Sequence, residues 1–463
     1  MKITLHGAAG GVTGSAYQVQ TESANILVDF GMFQGSKKEE LKNVVPAGFR
    51  PARLDAVVLT HAHLDHTGRL PLLIKGGFAG PIFANEPTYK LTDLILRDAA
   101  KVQAYDVERA NRKRLRAGQK PIQPMYSLAD VEKTMMRFQT TWYDKPFEPA
   151  KGISMRMVDA GHMLGSSSIE MTVNEGGRHK TVVFSGDIGP RNVPILRDPV
   201  SFPHADLLFL ESTYGDRDHK PMKDTLSELR DIIRKSVAEH GKMLVPAFAI
   251  GRTQQILYHL TILFDRSEIP PFPVYVDGPM AIEATRIYAA HPELYDEEAS
   301  ELARDGLLSE KLPGVTTCET PGESKALNDR EGPCMIIAGA GMCNAGRIVH
   351  HLRNNLWKTG TRVIIVGYQS EGSLGRQLVD GARHVQILGD KVAVRATVHT
   401  LNGFSAHAGQ SDLLHWFETL TASKPRVVLT HGEARGREGL RAALQQRYGV
   451  DAAMPMQGET IEI

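Results

Sequence analysis

Three histidines and one aspartate fall within six residues of one another in the segment His61-Ala62-His63-Leu64-Asp65-His66. An apolar run at 56–60 predicts a strand directly before them, and a strand that turns into a loop can direct several side chains at one point. Neutral imidazole and carboxylate are the ligands that zinc accepts at catalytic sites. A polar surface turn is the alternative, but four such groups packed together without a metal would repel one another or compete for water. The segment therefore predicts a metal site.

Two further segments place a glycine directly before a candidate ligand, in Gly161-His162 and Gly186-Asp187. Glycine allows the backbone to approach a crowded metal closely. Taken singly, each of these ligands is more typical of a turn. Asp29 follows another apolar run, and we expect it to accept a hydrogen bond from a ligating histidine.

An apolar run that ends in a histidine occurs twice, as Val57-Val58-Leu59-Thr60-His61 and as Val427-Val428-Leu429-Thr430-His431. The two runs are either unrelated buried strands or strands that deliver a histidine to the same edge of a sheet. The residues alone leave both alternatives open.

The elements that must position these residues change in character along the chain. Up to about Glu211, short apolar runs separated by glycine and polar turns predict a sheet-rich domain, with helical patterns at about 88–116 and 128–138. From about 212 to 395, strands and helices alternate, which is typical of a parallel α/β unit. A strand, a turn and a strand follow, with a helix at about 410–420. The predicted strands are 26–29, 56–60, 81–84, 168–173, 181–185, 207–210, 243–245, 274–276, 335–338 and 363–366.

Composition limits the class of protein. With 463 residues, 42% hydrophobic and 23% charged, the chain has the ordinary composition of a globular protein. A net charge of +1 means that a polyanion would need a local basic patch or a bound metal. Three cysteines without a pairing pattern, no signal peptide and no apolar run of membrane-spanning length predict a cytoplasmic protein with no membrane contact.

The motifs together resemble a known family. His61-Ala62-His63-Leu64-Asp65-His66, Gly161-His162 and Gly186-Asp187, in that order after Asp29, look like the metallo-β-lactamase fold. Three further segments resemble motifs of the β-CASP nucleases. They are Glu211-Ser212-Thr213-Tyr214-Gly215, Gly403-Phe404-Ser405-Ala406-His407 and Leu429-Thr430-His431-Gly432-Glu433. The similarity extends over essentially the whole chain and favours the bacterial and archaeal RNA-cleaving members. Those members are akin to the endonuclease subunit of the eukaryotic pre-mRNA cleavage and polyadenylation factor.

The resemblance implies an α/β protein, a four-layer αββα metallo-β-lactamase sandwich with an inserted α/β β-CASP cap domain. The implied domain limits are 1–211 and 396–463 for the two parts of the metallo-β-lactamase domain and 212–395 for the β-CASP domain. This organisation fits the residues, because Asp187 and His431 can meet only if the intervening segment loops out and returns.

Two zinc ions per chain are also implied. One would take His61, His63, His162 and Asp187, and the other Asp65, His66, His431 and the shared Asp187. Together the ions would activate a water and polarise a phosphodiester. The leaving ribose oxygen needs a proton or a hydrogen bond, which the resemblance assigns to His407, held in orientation by Glu211. The implied catalytic residues are therefore Asp65, Asp187, Glu211 and His407, with Asp29 behind the ligands.

The implied activity is hydrolysis of single-stranded RNA, endonucleolytic, leaving 5′-phosphate and 3′-hydroxyl ends. Alternatives are a 5′-exoribonuclease, a DNA-directed β-CASP nuclease, a small-molecule hydrolase of the same fold and a non-catalytic RNA-processing subunit. The long insertion argues against the small-molecule hydrolase, and His431 favours RNA over DNA. The intact ligand set argues against a non-catalytic subunit. Whether the chain forms a homodimer is left open.

Two glycine-rich loops between a strand and a helix, 339–347 and 367–376, are candidate sites for an RNA phosphate. Tight turns are the alternative for both loops. The candidate RNA-binding residues are Gly341, Gly346, Arg347, Gln369, Ser370, Gly372 and Ser405.

A basic run, Arg109 to Arg116, ends the long predicted helix. A solvated face, or cations placed against the carboxyl end of the helix, is the favoured interpretation. Contact with an RNA backbone is the alternative, which the salt dependence of binding would test.

Overall fold

The computed structural model describes residues 1–175, 177–304, 314–370 and 372–463. Its strands are β1 (Lys2–Gly7), β2 (Ala16–Gln20), β3 (Asn25–Val28), β4 (Ala56–Val58), β5 (Ile82–Asn85), β6 (Phe138–Thr141), β7 (Phe147–Ala150), β8 (Ile153–Asp159), β9 (Ser167–Glu175), β10 (Arg178–Phe184), β11 (Leu207–Glu211), β12 (Lys242–Pro246), β13 (Val274–Asp277), β14 (Val315–Cys318), β15 (Cys334–Ala338), β16 (Arg362–Ile365), β17 (His384–Ile387), β18 (Asp390–Ala393), β19 (Thr397–Thr400), β20 (Arg426–Thr430) and β21 (Thr460–Glu462). Its helices are α1 (Lys37–Glu40), α2 (Leu64–Thr67), α3 (Leu70–Lys75), α4 (Glu86–Arg116), α5 (Leu128–Met135), α6 (Met222–Ala238), α7 (Arg252–Asp265), α8 (Pro279–Ala289), α9 (Glu297–Arg304), α10 (Pro321–Asp329), α11 (Gly346–Asn355), α12 (Leu374–Val379), α13 (Gln410–Glu418) and α14 (Ala434–Tyr448).

The chain divides into two compact units. The first contains 1–191, 198–218 and 407–463, and the second contains 192–197 and 219–406. The second unit therefore interrupts the sequence of the first. Functional domain limits at 211 and 395 stay a prediction.

Two sheets form the inner layers of the first unit. Their strand orders are β21-β1-β2-β3-β4-β5-β6 and β20-β11-β10-β9-β8-β7. Apolar side chains from both sheets, among them Ile26, Val58, Ile169 and Phe209, share one buried core. Burial of such side chains contributes roughly 1.5–3 kcal/mol each, so this layer holds the two sheets together.

Helices cover the outer faces of both sheets. Leu73 of α3 and Leu96 of α4 are in the buried cluster that covers the first sheet, and Phe417 of α13 and Leu440 of α14 are in the cluster that covers the second. The layer order is therefore helix, sheet, sheet, helix. The predicted α/β class and four-layer sandwich are confirmed.

The second unit is built on a six-stranded sheet of order β14-β13-β15-β12-β16-β19. All five strand pairings are parallel, as the alternating pattern predicted. Central strands such as β12 and β15 are buried along their whole length, as expected for a parallel sheet covered on both faces. No helix in the described part of the chain is both long and apolar enough to cross a lipid bilayer.

Of the two alternatives for the repeated strand-histidine pattern, delivery of both histidines to the edge of one sheet is wrong. The strand before His61, β4, belongs to the first sheet of the sandwich, whereas the strand before His431, β20, belongs to the second. The two histidines therefore do not share the edge of a single sheet. They come close because the carboxyl ends of strands from two stacked sheets meet at the same side of the sandwich.

The helix α4 has 31 residues and two dissimilar halves. Its buried side chains all lie between Pro87 and Ala100. From residue 101 onward every side chain is half-buried or exposed. We call residues 101–120 the distal arm of α4.

Candidate metal centre

The candidate ligands follow the carboxyl ends of strands. His61 follows β4, Asp187 follows β10 and His431 follows β20, while His162 comes three residues after β8. In parallel and stacked arrangements these ends lie on one side, which is where α/β proteins usually place their sites. The fold thus brings residues 370 positions apart near one another, since Asp187 belongs both to the group that contains His61 and to a group that contains His431.

The first group of candidate ligands is His61, His63, His162 and Asp187. Nδ1 of His63 lies 3.1 Å from Nε2 of His61 and 3.1 Å from Nε2 of His162. Oδ2 of Asp187 lies 3.5 Å and 3.6 Å from the same two nitrogens. A tetrahedral zinc site with bonds of about 2 Å has ligand separations of about 3.3 Å. These four donor atoms therefore fit one zinc ion.

The second group is Asp65, His66 and His431. Nε2 of His66 lies 3.3 Å from Nε2 of His431, which is 3.5 Å from Oδ2 of Asp65. Oδ1 of Asp187 lies 3.4 Å from Nε2 of His66 and 3.4 Å from Nδ1 of His431. This group therefore also has a carboxylate oxygen of Asp187 within reach.

Asp187 presents one oxygen to each group. Its Oδ1 is buried and has no hydrogen-bond partner among the described residues. A buried charged oxygen without a hydrogen bond is costly unless a cation neutralises it. The donor set thus fits two metal ions with Asp187 between them.

Asp29 orients His66 directly and His61 through Thr60. Oδ2 of Asp29 lies 2.7 Å from Nδ1 of His66 and accepts from the Thr60 hydroxyl at 2.8 Å. Because the Thr60 proton is donated to Asp29, its oxygen can accept from Nδ1 of His61 at 3.1 Å. In the neutral state that a metal requires, both imidazoles would carry their proton on Nδ1 and direct the Nε2 lone pair into the site.

Thr213 does the same for His431. Its hydroxyl donates to the His431 carbonyl at 3.0 Å, so its oxygen can accept from Nδ1 of the ring at 3.1 Å. The lone pair of Nε2 then faces Asp65 and His66.

His407 and Glu211 form a pair beside the first group. Nδ1 of His407 lies 3.2 Å from Oε1 of Glu211 and 3.9 Å from Oδ2 of Asp187. Glu211 is fixed in turn, because its two oxygens accept from the backbone N–H groups of Ile188 at 2.8 Å and Thr213 at 3.2 Å. His407 also lies within ligand range of Asp187 and His431, so its position is compatible with either a metal ligand or a proton donor.

Burial keeps two of the histidines neutral. It lowers the pKa of His61 well below its ordinary value and the pKa of His63 to about 4. Burial also works against the charge of Asp187, but its electrostatic interactions with the surrounding imidazoles, foremost His431 and His66, outweigh burial and hold the pKa of Asp187 well below its usual range. Neutral imidazoles around an ionised carboxylate are the state that a metal ion binds.

Two other imidazoles hold a proton. Burial opposes the charge on His66, but Asp187 and Asp29 raise its pKa well above the ordinary value. At His407, burial is likewise outweighed, by Glu211 and Asp187, and the pKa is raised to about 9. The proton on His66 supplies positive charge where a metal would bring it, so we expect metal binding to release that proton.

Two backbone features give the ligands room. Gly186 has φ +57°, and a Cβ there would lie 2.9 Å from the Ser167 carbonyl oxygen. Asp29 and His431 also have positive φ, 58° and 47°, a conformation that non-glycine residues rarely adopt and that clusters at functional sites.

The sequence did not predict that Thr60 and Thr213 would orient histidine rings. The signal available was a hydroxyl residue directly before His61, and another two positions after Glu211. Neither position distinguishes a hydrogen-bonding role from strand propensity, because threonine is also common in strands.

The candidate RNA-binding residues of the glycine-rich loops lie in the second unit. The guanidinium of Arg347 donates to Oδ1 of Asp277 at 2.6 Å and to the carbonyls of Cys318 and Glu319 at 2.9 and 2.6 Å. Arg347, which follows Gly346 at the start of α11, is therefore engaged within its own unit.

Gln369 connects the two loops, since its Nε2 donates to the Gly341 carbonyl at 2.9 Å. The Ser370 hydroxyl lies 3.3 Å from the sulfur of Met342. Gly372 has φ +79° and Ser405 is buried, while Glu371 lies outside the described residues. RNA contacts by these loops stay a prediction.

Three family descriptions match consecutive parts of the chain. They are the metallo-beta-lactamase superfamily at residues 9–239, the Beta-Casp domain at 253–378 and the Zn-dependent metallo-hydrolase RNA specificity domain at 391–455.

Similar proteins come from bacteria and archaea. Ribonuclease TTHA0252 of Thermus thermophilus is 38% identical over 100% of both chains. Transcription termination factor FttA of Cenarchaeum symbiosum is 32% identical over 100% of this chain and 71% of its own length. A solved structure from Enterococcus faecalis, described as a protein of unknown function, is 15% identical with a TM-score of 0.55, covering 100% of this chain and 99% of that one. That last likeness concerns the fold alone.

Proposed function

The chain belongs to the β-CASP ribonucleases of the metallo-β-lactamase superfamily, and from this membership we propose that it is a two-zinc endoribonuclease acting on single-stranded RNA. It would hydrolyse phosphodiester bonds to leave 5′-phosphate and 3′-hydroxyl ends. The metal ligands proposed are His61, His63, Asp65, His66, His162, Asp187 and His431.

The observation that carries the proposal is the position of the His407–Glu211 pair. An imidazole that carries a proton lies 3.9 Å from Asp187, the carboxylate shared by both ligand groups. Metal ions bound here supply an activated water and positive charge beside the phosphodiester. A hydrolase also needs a proton donor for the leaving oxygen, and His407 is suitably placed.

The polar residues of the site would have different roles in the reaction. Asp187 and Asp65 hold negative charge where cations bind, and Asp29 and Thr213 fix the imidazole rings. Glu211 stabilises the protonated form of His407 and fixes the orientation of its ring, so that the ring can give its proton to the departing 3′ oxygen. Metal chemistry of this kind makes a 5′-phosphate and a 3′-hydroxyl.

RNA is favoured as the substrate by the RNA specificity domain that matches residues 391–455 and by the related protein that is named a ribonuclease. His431 is the ligand that favours RNA over DNA within the family resemblance. Endonucleolytic action is the interpretation carried over from the RNA-cleaving members.

A circular single-stranded RNA tests the activity most directly. We expect purified protein to linearise it, to lose that activity with a chelator, and to leave circular DNA of the same sequence intact. An exonuclease cannot start on a circle, so failure to cut the circle while linear RNA is degraded would refute endonucleolytic action. Products with a 2′,3′-cyclic phosphate would show instead that the RNA hydroxyl attacked phosphorus.

Glu211→Gln should change the pH dependence of cleavage. In the metal-free protein, Glu211 and Asp187 outweigh the effect of burial and raise the pKa of His407 to about 9. Cations bound to Asp187 would offset its contribution and leave that of Glu211, so the proton is held at low pH and lost as pH rises through the folded-state pKa. Removing the Glu211 charge lowers the pKa, and the alkaline fall of the single-turnover rate should move to lower pH. Rates measured between about pH 6 and 10 would check this. An unmoved alkaline limb would separate Glu211 from the proton on His407.

A further inference from the structure

The distal arm of α4 is a strongly basic part of an almost neutral molecule. Residues 101–120 contain seven lysines and arginines and two carboxylates, a net charge of +5, whereas the whole chain has +1. We propose that this arm is a second RNA-binding surface, which holds the phosphate backbone of a long substrate away from the metal centre. The proposal rests on the proposed function in one respect, which is that the polyanion bound by the arm is RNA.

The cations are arranged along one face of the helix. Arg109, Arg112, Lys113 and Arg116 are spaced by three or four residues, which places them on the same side over a rise of roughly 10 Å. All four side chains are exposed. Tyr105 lies on the same face and is 68% exposed, so a base can stack on its ring.

The opposite side of the arm packs on the chain that follows it. Asn111 exchanges two hydrogen bonds with the backbone of Ile122, at 2.9 and 2.8 Å. Nε of Arg114 donates to the Lys120 carbonyl at 2.8 Å. These contacts support the arm from one side and leave the basic face outward.

Helix-end electrostatics account for only part of this charge. The helix dipole favours cations within the last turn, which explains Lys113, Arg114 and Arg116. Arg109 lies a full turn before these residues and Arg112 directly precedes them, and of the two only Arg112 has a carboxylate near it, Glu108 at 2.5 Å. In the part of the chain that the structure describes, no ion pair involves Arg109, Lys113 or Arg116.

The other end of the helix is fixed to the metal centre. Thr88 in the first turn of α4 donates to the Gly165 carbonyl at 2.7 Å, and the side chain of Asn85 donates to the same carbonyl. Gly165 belongs to the loop that carries His162, whose backbone N–H donates to Ser166 Oγ at 3.0 Å. The helix therefore runs from a candidate ligand loop to the basic face.

Helix geometry sets the distance between the two. From Thr88 to the cations at 109–116, α4 rises by roughly 30 to 40 Å. A stacked strand that advances about 3.4 Å per nucleotide needs on the order of ten nucleotides to span that length. The arm should therefore act on long RNA and leave a six-nucleotide RNA unaffected.

The test replaces three cations of the basic face with glutamine, Arg109→Gln, Lys113→Gln and Arg116→Gln. Glutamine keeps the helix propensity. The matched control removes the same charge elsewhere on the first unit, at three exposed positions, Arg53→Gln, Lys145→Gln and Lys151→Gln. Binding of labelled 30-nucleotide and 6-nucleotide RNA is measured by anisotropy in a zinc-loaded His407→Ala background, and cleavage of both RNAs is measured without that background change.

We expect the arm variant to bind the long RNA at least roughly tenfold more weakly near 0.1 M salt, with a salt slope reduced by about 2. Binding and cleavage of the short RNA should stay at the level of the unmodified protein, which also shows that the variant is folded. Cleavage of the short RNA tests the proposed function separately from the arm.

Three results would overturn the proposal. They are unchanged affinity for the long RNA, an equal loss in the control variant, and an equal loss with the short RNA. If the first of these results came with a change of sedimentation in the arm variant, the surface would be assigned to a second copy of the chain instead of RNA.

Discussion

Asp187→Asn should lower both the metal content and the cleavage rate more than any other single substitution at the site. The two oxygens of Asp187 face different ligand groups, at 3.4 to 3.6 Å from four imidazoles. The amide keeps the shape but removes the charge that two cations share. Loss of several kcal/mol of electrostatic stabilisation corresponds to a rate lower by roughly 10³-fold or more.

The measurement is zinc per chain by elemental analysis beside the single-turnover rate on RNA. Asp29→Asn is the matched comparison, because it neutralises another buried carboxylate that touches His66 directly and His61 only through Thr60, and that lies outside both ligand groups. We expect that variant to lose roughly 10- to 100-fold in metal affinity or activity. Two zinc ions in Asp187→Asn at a near-normal rate would show that the carboxylate does not connect the two groups.

His407→Ala should slow cleavage and leave the metals in place. A positioned proton donor contributes roughly 10² to 10⁴-fold to a rate, and removing the imidazole leaves the seven proposed ligands intact. RNA affinity should be close to that of the unmodified protein, since the effect is on the departing 3′ oxygen. Single-turnover rate, zinc content and RNA affinity are measured on the same preparation.

An exposed imidazole of the same unit, in His204→Ala, provides the control and should change none of the three quantities. Loss of one zinc from His407→Ala would make His407 a ligand, which its range to Asp187 and His431 also allows. A normal rate with normal zinc content would reduce the residue to a structural role.

Local spacing made the cluster of candidate ligands from His61 to His66 predictable from the sequence. Four candidate ligands within six residues after an apolar run require no knowledge of the rest of the fold, and His61 to His66 are close together in the structure. His162 and Asp187 were weaker signals, because one histidine or aspartate after a glycine is common in turns. They gained weight only from the order in which all the motifs occur.

Contacts between distant residues were not predictable. The hydrogen bonds of Thr60 and Thr213 depend on which ring nitrogen faces inward, which no spacing encodes. Arg347 looked like a phosphate ligand at the start of a helix, yet its guanidinium lies against Asp277, 70 positions away. The sheet that each repeated strand joins was also hidden, since β4 and β20 have nearly the same apolar sequence.

Because the second unit interrupts the first in sequence, the ribosome synthesises the proposed ligands in two separate stretches of the chain. His61, His63, His162 and Asp187 have all been made when the chain reaches β11. His431 comes more than two hundred residues later, and His407 shortly before it. The first proposed ligand group is therefore encoded in full before the interrupting segment begins, whereas the second group and the proposed proton donor are completed only after the chain has returned to the first unit.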